Sequence, residues 1–269
     1  MNRDVNQTGP TCGIYGLANG LLNMNKVSGH KKEKIDQEIY ELLKDFKFRI
    51  KDNKLTGYTL VGEFFKFNTF KRFIDDVIHE LHKNIIPGGI PPVDDNFKYV
   101  IEVMSVSDLT KQSLIQQLNN KEAFILFSIL KQYTILELVD DIRALLGFNR
   151  IQKHVISHWI CIHDYCNNCR KFNVTDSQKG ERMNFTYEKL KKKNVRLENK
   201  IFKWEKYTGQ QYLQKKNTGP STSEQIIDLV TEQLKNKEEY LENDAFKNVI
   251  DHTAGQMIVI RKVKQDSNK

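Results

Sequence analysis

The chain has 269 residues, of which 39% are hydrophobic and 28% charged. This is the composition of a globular protein with one large core or two modest ones, and it excludes a disordered chain. No apolar run approaches the roughly 18 residues of a membrane span, and Met1-Asn2-Arg3-Asp4 opens without an apolar signal region, so a cytoplasmic protein with no transmembrane segment is expected. The net charge of +8 raises the question of nucleic acid, yet Lys31-Lys32, Lys191-Lys192-Lys193 and Lys215-Lys216 lie in stretches that mostly carry Glu or Asp, and no aromatic-spaced RNA-binding signature accompanies them. Solvated helix faces are the first reading of such runs and an acidic protein partner the second; no nucleic acid is expected.

The first element is the most informative. Gln7-Thr8-Gly9-Pro10-Thr11-Cys12-Gly13 feeds a helical pattern over Gly13 to Met24, with Ile14, Leu17, Ala18, Leu21 and Leu22 on a 3.6-residue period. Cys12 therefore stands at a helix N-terminus, where unpaired N–H groups and the helix dipole favour the thiolate. This makes it a candidate nucleophile, and Gln7 a side-chain amide that could join the Cys12 N–H in binding an oxyanion. The competing reading is a small buried hydrophobe, as free cysteines often are. Only eleven residues precede Cys12, so no inhibitory propeptide is expected.

Two amphipathic helices follow, over Lys34 to Phe48 and Phe70 to Leu81, with His79 and His82 on the solvent face of the second. Pro87-Gly88-Gly89-Ile90-Pro91-Pro92 must be a loop or stiff linker, and it separates a helical half from a β-richer half. Then come a strand at Lys98 to Met104, a helix at Asp108 to Leu118, a buried strand at Ala123 to Leu130 and a helix at Thr134 to Leu146. Ser157 to Tyr165 and Lys171 to Ser177 read as a hairpin about Cys166-Asn167-Asn168-Cys169. A turn centred on Asn167-Asn168 sets His158 opposite roughly position 177, so Asp176 falls within one residue of it. A thiol nucleophile needs a base, and the base a carboxylate or amide to hold its tautomer; neighbouring strands supply both here.

These residues together resemble the papain-like cysteine peptidases, in the branch of the bacteriocin-leader-processing peptidases and the actin-maturation proteases. The resemblance is carried by Gln-Thr-Gly-Pro-Thr-Cys-Gly entering a helix, the apolar run from Ala123, the His-Trp-apolar strand from His158 and the Val-Thr-Asp-Ser strand end. The five-residue Gln7-to-Cys12 interval, where papain has six, and the Gly-Pro before the cysteine are closest to the actin-maturation group. It implies Cys12 as nucleophile, His158 as general base, Asp176 as orienting residue, Gln7 as oxyanion donor, Trp159 as a shield for the thiolate–imidazolium pair, and no cofactor. Departures are Ile14 and Tyr15, where the family has small residues, and a long charged insertion between Leu130 and His158.

The implied fold is α+β and papain-like, one catalytic domain over 1–269. Its helical half, about 1–84, carries the nucleophile against an antiparallel β half of about 97–263, with insertions near 131–153 and 186–255. The implied function is hydrolysis of a peptide or isopeptide bond of a protein substrate. A transglutaminase, acyltransferase or glutamine deamidase on the same triad is the alternative, and a catalytically inert papain-like binding module the third.

Other groups compete less well. His154 shares a strand face with His158, His163 takes the other, and Asp251-His252 are adjacent residues that cannot form a dyad on a strand. Cysteines 161, 166 and 169 cluster on one hairpin, which is not a secreted disulfide framework. Cys166-x-x-Cys169 lacks a second ligand pair for zinc, so no metal is expected and a reversible disulfide at the turn is preferred. Ser221-Thr222-Ser223-Glu224 is a capping box for a helix over Gln225 to Leu234, and strand-like Gln256 to Val263 is expected to close the β half.

Overall fold

A computed structural model describes residues 5, 7, 11–26, 30–46, 49–51, 54–56, 64, 67–81, 87–90, 96–131, 156–178, 180–198, 201–202, 225–226, 228–229, 232, 249–250 and 253–265. Helices α1 (Cys12–Met24), α2 (Lys32–Phe46) and α3 (Phe67–Leu81) come first, with a small hairpin of β1 (Arg49–Lys51) and β2 (Lys54–Thr56) between the last two. The main sheet follows, from β3 (Phe97–Ser105), β4 (Ala123–Lys131), β5 (Ile156–Cys166), β6 (Lys171–Asp176) and β7 (Glu181–Phe185). Helices α4 (Gln112–Asn119) and α5 (Tyr187–Val195), the short pair β8 (Ile201–Phe202) and β9 (Val249–Ile250), and β10 (Gln256–Lys264) complete the order. The architecture is α+β: helices packed on a six-stranded antiparallel sheet of order β3-β10-β4-β5-β6-β7.

The central strands of the sheet are buried on both faces, which is why they read as continuous apolar runs rather than alternating ones. Phe124, Leu126, Trp159, Cys161, Ile258 and Ile260 pack on α1, α2 and α3. Their neighbours Ile125, Phe127, Ile160, Ile162, Met257 and Val259 belong to a second cluster with α4 and α5. Strand β10 does not close the sheet at an edge. Its four buried residues Met257 to Ile260 need cover on both faces, and it runs between β3 and β4, with Ile260 opposite both Ile101 and Phe124. Asn194 of α5 anchors its start: the side-chain amide donates to the carbonyls of Ser128 and Thr253, and the Gly255 N–H donates back to Asn194 Oδ1.

Helix α1 is buried nearly all round, so it lies inside the molecule against β4 and β5. Gly20 is what lets it approach so closely: a Cβ there would lie 2.1 Å from the fully buried ring of Phe124. Glycine in mid-helix ordinarily costs about 1 kcal/mol relative to alanine, so without that contact Gly20→Ala would stabilise. Overpacking reverses the sign, and the substitution should destabilise by about 2 kcal/mol, read as a fall in urea midpoint at unchanged slope. A higher midpoint would show that the Phe124 ring moves aside freely.

Two elements differ from the sequence reading. The helix expected over Asp108 to Leu118 is broken at Lys111, whose backbone is extended (ψ 127°) between a 3-10 helix, Val106–Thr110, and α4. The break turns Leu109 and Leu114 into one core. Glu181–Phe185 and Tyr187–Val195 were not expected as regular elements; they form the edge strand β7 and a helix whose N-cap Thr186 accepts from the Lys189 N–H. Positions 225–226, 228–229 and 232 are helical after the capping box, with Ile226 buried. The helix expected over 134–146, His82, His154, most of the insertion near 131–153 and the Asp251-His252 pair lie outside the described residues, as does the side chain of His79.

Candidate active site

Cys12 is the first residue of α1, and Thr11 in front of it makes no side-chain capping bond. No acidic side chain lies in the first turn, so nothing there offsets the positive end of the helix. The helix presses this end against β5, where the Trp159 N–H points at Cys12 Sγ at 3.4 Å. An N–H aimed at sulfur favours the thiolate over the thiol. Cys12 is 3% exposed.

The peptide that supplies this N–H joins Trp159 to His158. His158 Nε2 and Asp176 Oδ1 lie 2.7 Å apart, and both side chains are buried. The same Oδ1 accepts the Gln178 N–H at 2.9 Å, which fixes the carboxylate. An ionised carboxylate can only accept, so with Asp176 in that form the contact places the proton on Nε2 and leaves the Nδ1 edge of the ring for other partners. The structure thus pairs His158 with Asp176, and the next residue, Trp159, meets Cys12 at the N-terminal end of α1.

The pairing arises in a register slightly different from the simple hairpin. Cys166 pairs with Lys171, closing a four-residue turn with left-handed Arg170 (φ 50°), and a bulge at His163 shifts the ladder before Cys161 meets Thr175. The turn moves the pairing by two residues and the bulge takes one back, a net shift of one residue that the Asp176 side chain spans. His163 is thus the bulge residue, buried, its carbonyl accepting from Lys121 Nζ. Cys166 and Cys169 are joined as a disulfide across the turn, and Cys161 is a buried free cysteine.

Gln7 meets the same strand end. Its N–H donates to the Ser177 carbonyl at 2.7 Å, and the Ser177 hydroxyl donates to Gln7 Oε1 at 2.8 Å. With Oε1 accepting, the amide presents Nε2, its donor, elsewhere. Two residues earlier the backbone of Val5 is clamped by the buried side chain of Asn19, which accepts from the Val5 N–H and donates to its carbonyl. Ser177, Gln178 and Asn19 are the residues the sequence reading missed. Asn19 left a signal, a polar side chain inside an otherwise apolar helix.

Aromatic rings form a wall at this end of α1. Trp159 is fully buried, its Nε1–H bonded to the Phe64 carbonyl and its ring edge-on to Phe67 and Phe70. Gly13 fits beneath this wall, since a Cβ there would stand 2.9 Å from the Phe70 ring. Among the described residues no group of three or more His, Cys, Asp or Glu is placed to hold a metal ion, and no helix is long and apolar enough to cross a membrane. No family model, curated protein or solved structure matches the chain.

Proposed function

We propose that this protein is a papain-like cysteine peptidase hydrolysing a peptide bond of a protein substrate. The observation that carries the reading joins two distant parts of the chain: a helix-N-terminal thiol under the Trp159 backbone N–H, and, on the residue before Trp159, an imidazole whose Nε2 is bound to a buried carboxylate. Proton exchange with the thiol then falls to His158 Nδ1, with Asp176 stabilising the imidazolium. The thiolate attacks the scissile carbonyl, the Cys12 N–H and Gln7 Nε2 hold the oxyanion, His158 returns its proton to the leaving amine, and water releases the acyl group by the reverse path. Ser177 is a positioning residue in this scheme, because its hydroxyl decides which end of the Gln7 amide faces the oxyanion. No step calls for a cofactor. Transfer or deamidation would use the same half-reaction with a different acceptor or leaving group.

The slight exposure of Cys12 favours a second reading, a dormant triad in a binding module. Thiol reactivity separates the two. Iodoacetamide should label Cys12 well before Cys161, by peptide mapping of the folded protein, although both are buried. The rate at Cys12 should fall when His158 is replaced by alanine. Equal, slow labelling at both cysteines would sink the nucleophile and leave the module.

A further inference from the structure

At the far end of α1, about 18 Å along the helix from Cys12, lies an open cleft of about 660 Å³ whose described lining holds five cations, Lys26, Lys121, Arg261, Lys262 and Lys264, and one carboxylate, Glu122. The cations come from three separate parts of the chain, so the cluster is made by the fold and is not a basic run on one helix. Part of it has internal work. Arg261 pairs with Glu102 and Lys121 with Asp164, and cations there complement the carbonyl ends of α1 and α4. What remains is Lys26, Lys262 and Lys264, which among the described residues have no carboxylate within ion-pair distance. Lys262 Nζ is held in place by neutral groups, 3.2 Å from Asn25 Oδ1 and over the Phe97 ring.

The backbone adds a second observation. Lys26 (φ 51°) and Lys121 (φ 62°) follow the ends of α1 and α4 in the left-handed conformation, where glycine fits without strain. Both helix ends that open on the cleft thus carry a lysine at a position whose backbone favours glycine.

We propose that this cleft is a binding site for an acidic, carboxylate-rich segment of a protein partner. Lysine ammonium groups at spaced points suit carboxylates along an extended chain, while the Asn120 amide in the lining can both donate and accept and the Gln117 Nε2 can donate, as a peptide backbone requires. Nucleic acid fits less well: Phe97 is the only aromatic among the described lining residues, and Lys262 lies over its ring, where a base would have to stack. The site is independent of whether Cys12 is a nucleophile.

The test uses a fluorophore-labelled oligoglutamate peptide and fluorescence anisotropy, at low and at physiological salt. The wild-type chain should bind it, more weakly as salt rises. Lys26→Gly combined with Lys264→Ala should weaken binding at least about fivefold, the size of two surface ion pairs. The thermal midpoint should not fall, because glycine relieves the backbone at position 26. Lys191→Ala combined with Lys192→Ala removes equal charge from α5 and should leave binding within about twofold. Absence of wild-type binding, or equal loss in both variants, would overturn the site. An oligonucleotide of equal charge that binds more tightly, and loses binding in the cleft variant, would overturn the assignment to an acidic protein segment.

Discussion

Cys12→Ala should return intact any protein substrate that the wild-type chain cleaves, with turnover lowered on the order of 10⁴-fold or more, since no acyl-enzyme can form. His158→Ala should cost a similar factor, and the double variant little more, because nucleophile and base act as one unit. Gln7→Ala should fall less, by about 10²-fold, the loss expected for one oxyanion donor. The masses of the products decide which chemistry the constellation performs. Two fragments whose masses sum to the substrate plus one water mean hydrolysis, a gain of about 1 Da without fragmentation means deamidation of a glutamine, and a joined product means transfer. Deamidation or transfer without fragments, lost in Cys12→Ala, would keep the triad and overturn the peptidase. A wild-type chain that binds substrate but leaves it unchanged, just as Cys12→Ala does, would identify the module.

The parts of this site that the sequence displayed are those fixed by local rules. Cys12 could be placed at a helix start because Gly13 to Met24 carries an unmistakable helical period, and Asp176 could be brought to His158 because a short hairpin leaves few registers. What stayed hidden depends on distant segments. The buried His163 bulge is dictated by packing across the sheet, and nothing in the local Cys161-Ile162-His163-Asp164 pattern announces it. The interior place of β10 follows from which strands finally flank it. An apolar run of this length states only that both faces are covered, not by which neighbours. The two polar anchors, Asn19 on Val5 and Asn194 on Ser128 and Thr253, are likewise contacts to backbone remote in sequence. Gln7 shows the limit most directly. Its type and interval suggested an oxyanion donor, but the orientation of its amide is set by Ser177, 170 residues away.

The largest expected effect on stability comes from Glu38 in α2. Its carboxylate is buried at 6% exposure, with both oxygens on the Ile90 N–H, at 2.9 and 3.2 Å. The neighbouring Gly88 carbonyl is tied to the start of the same helix by the Lys31 N–H, so Glu38 and Lys31 together hold the Pro87-Gly88-Gly89-Ile90 turn. Burial pushes the Glu38 carboxyl up from 4.5 to about 7, and the Ile90 N–H, which favours the charged form, only partly opposes this. The folded state therefore binds the proton more tightly than the unfolded chain. The stability this confers is complete below pH about 4.5, where both states are protonated, and it is lost as pH rises to about 7. Across that window the loss is about 3 kcal/mol, at 1.36 kcal/mol per pH unit. Glu38→Gln removes the titration and keeps an oxygen for the Ile90 N–H. The variant should match the wild type near pH 4.5 and exceed it by about 3 kcal/mol at pH 8, from urea midpoints measured on both proteins. Taking the difference between the two proteins at each pH cancels every other group that titrates. A difference that does not change between the two pH values would mean that Glu38 ionises in the folded protein as it does in water, and that the turn is held by Lys31 and the buried Ile90 side chain alone.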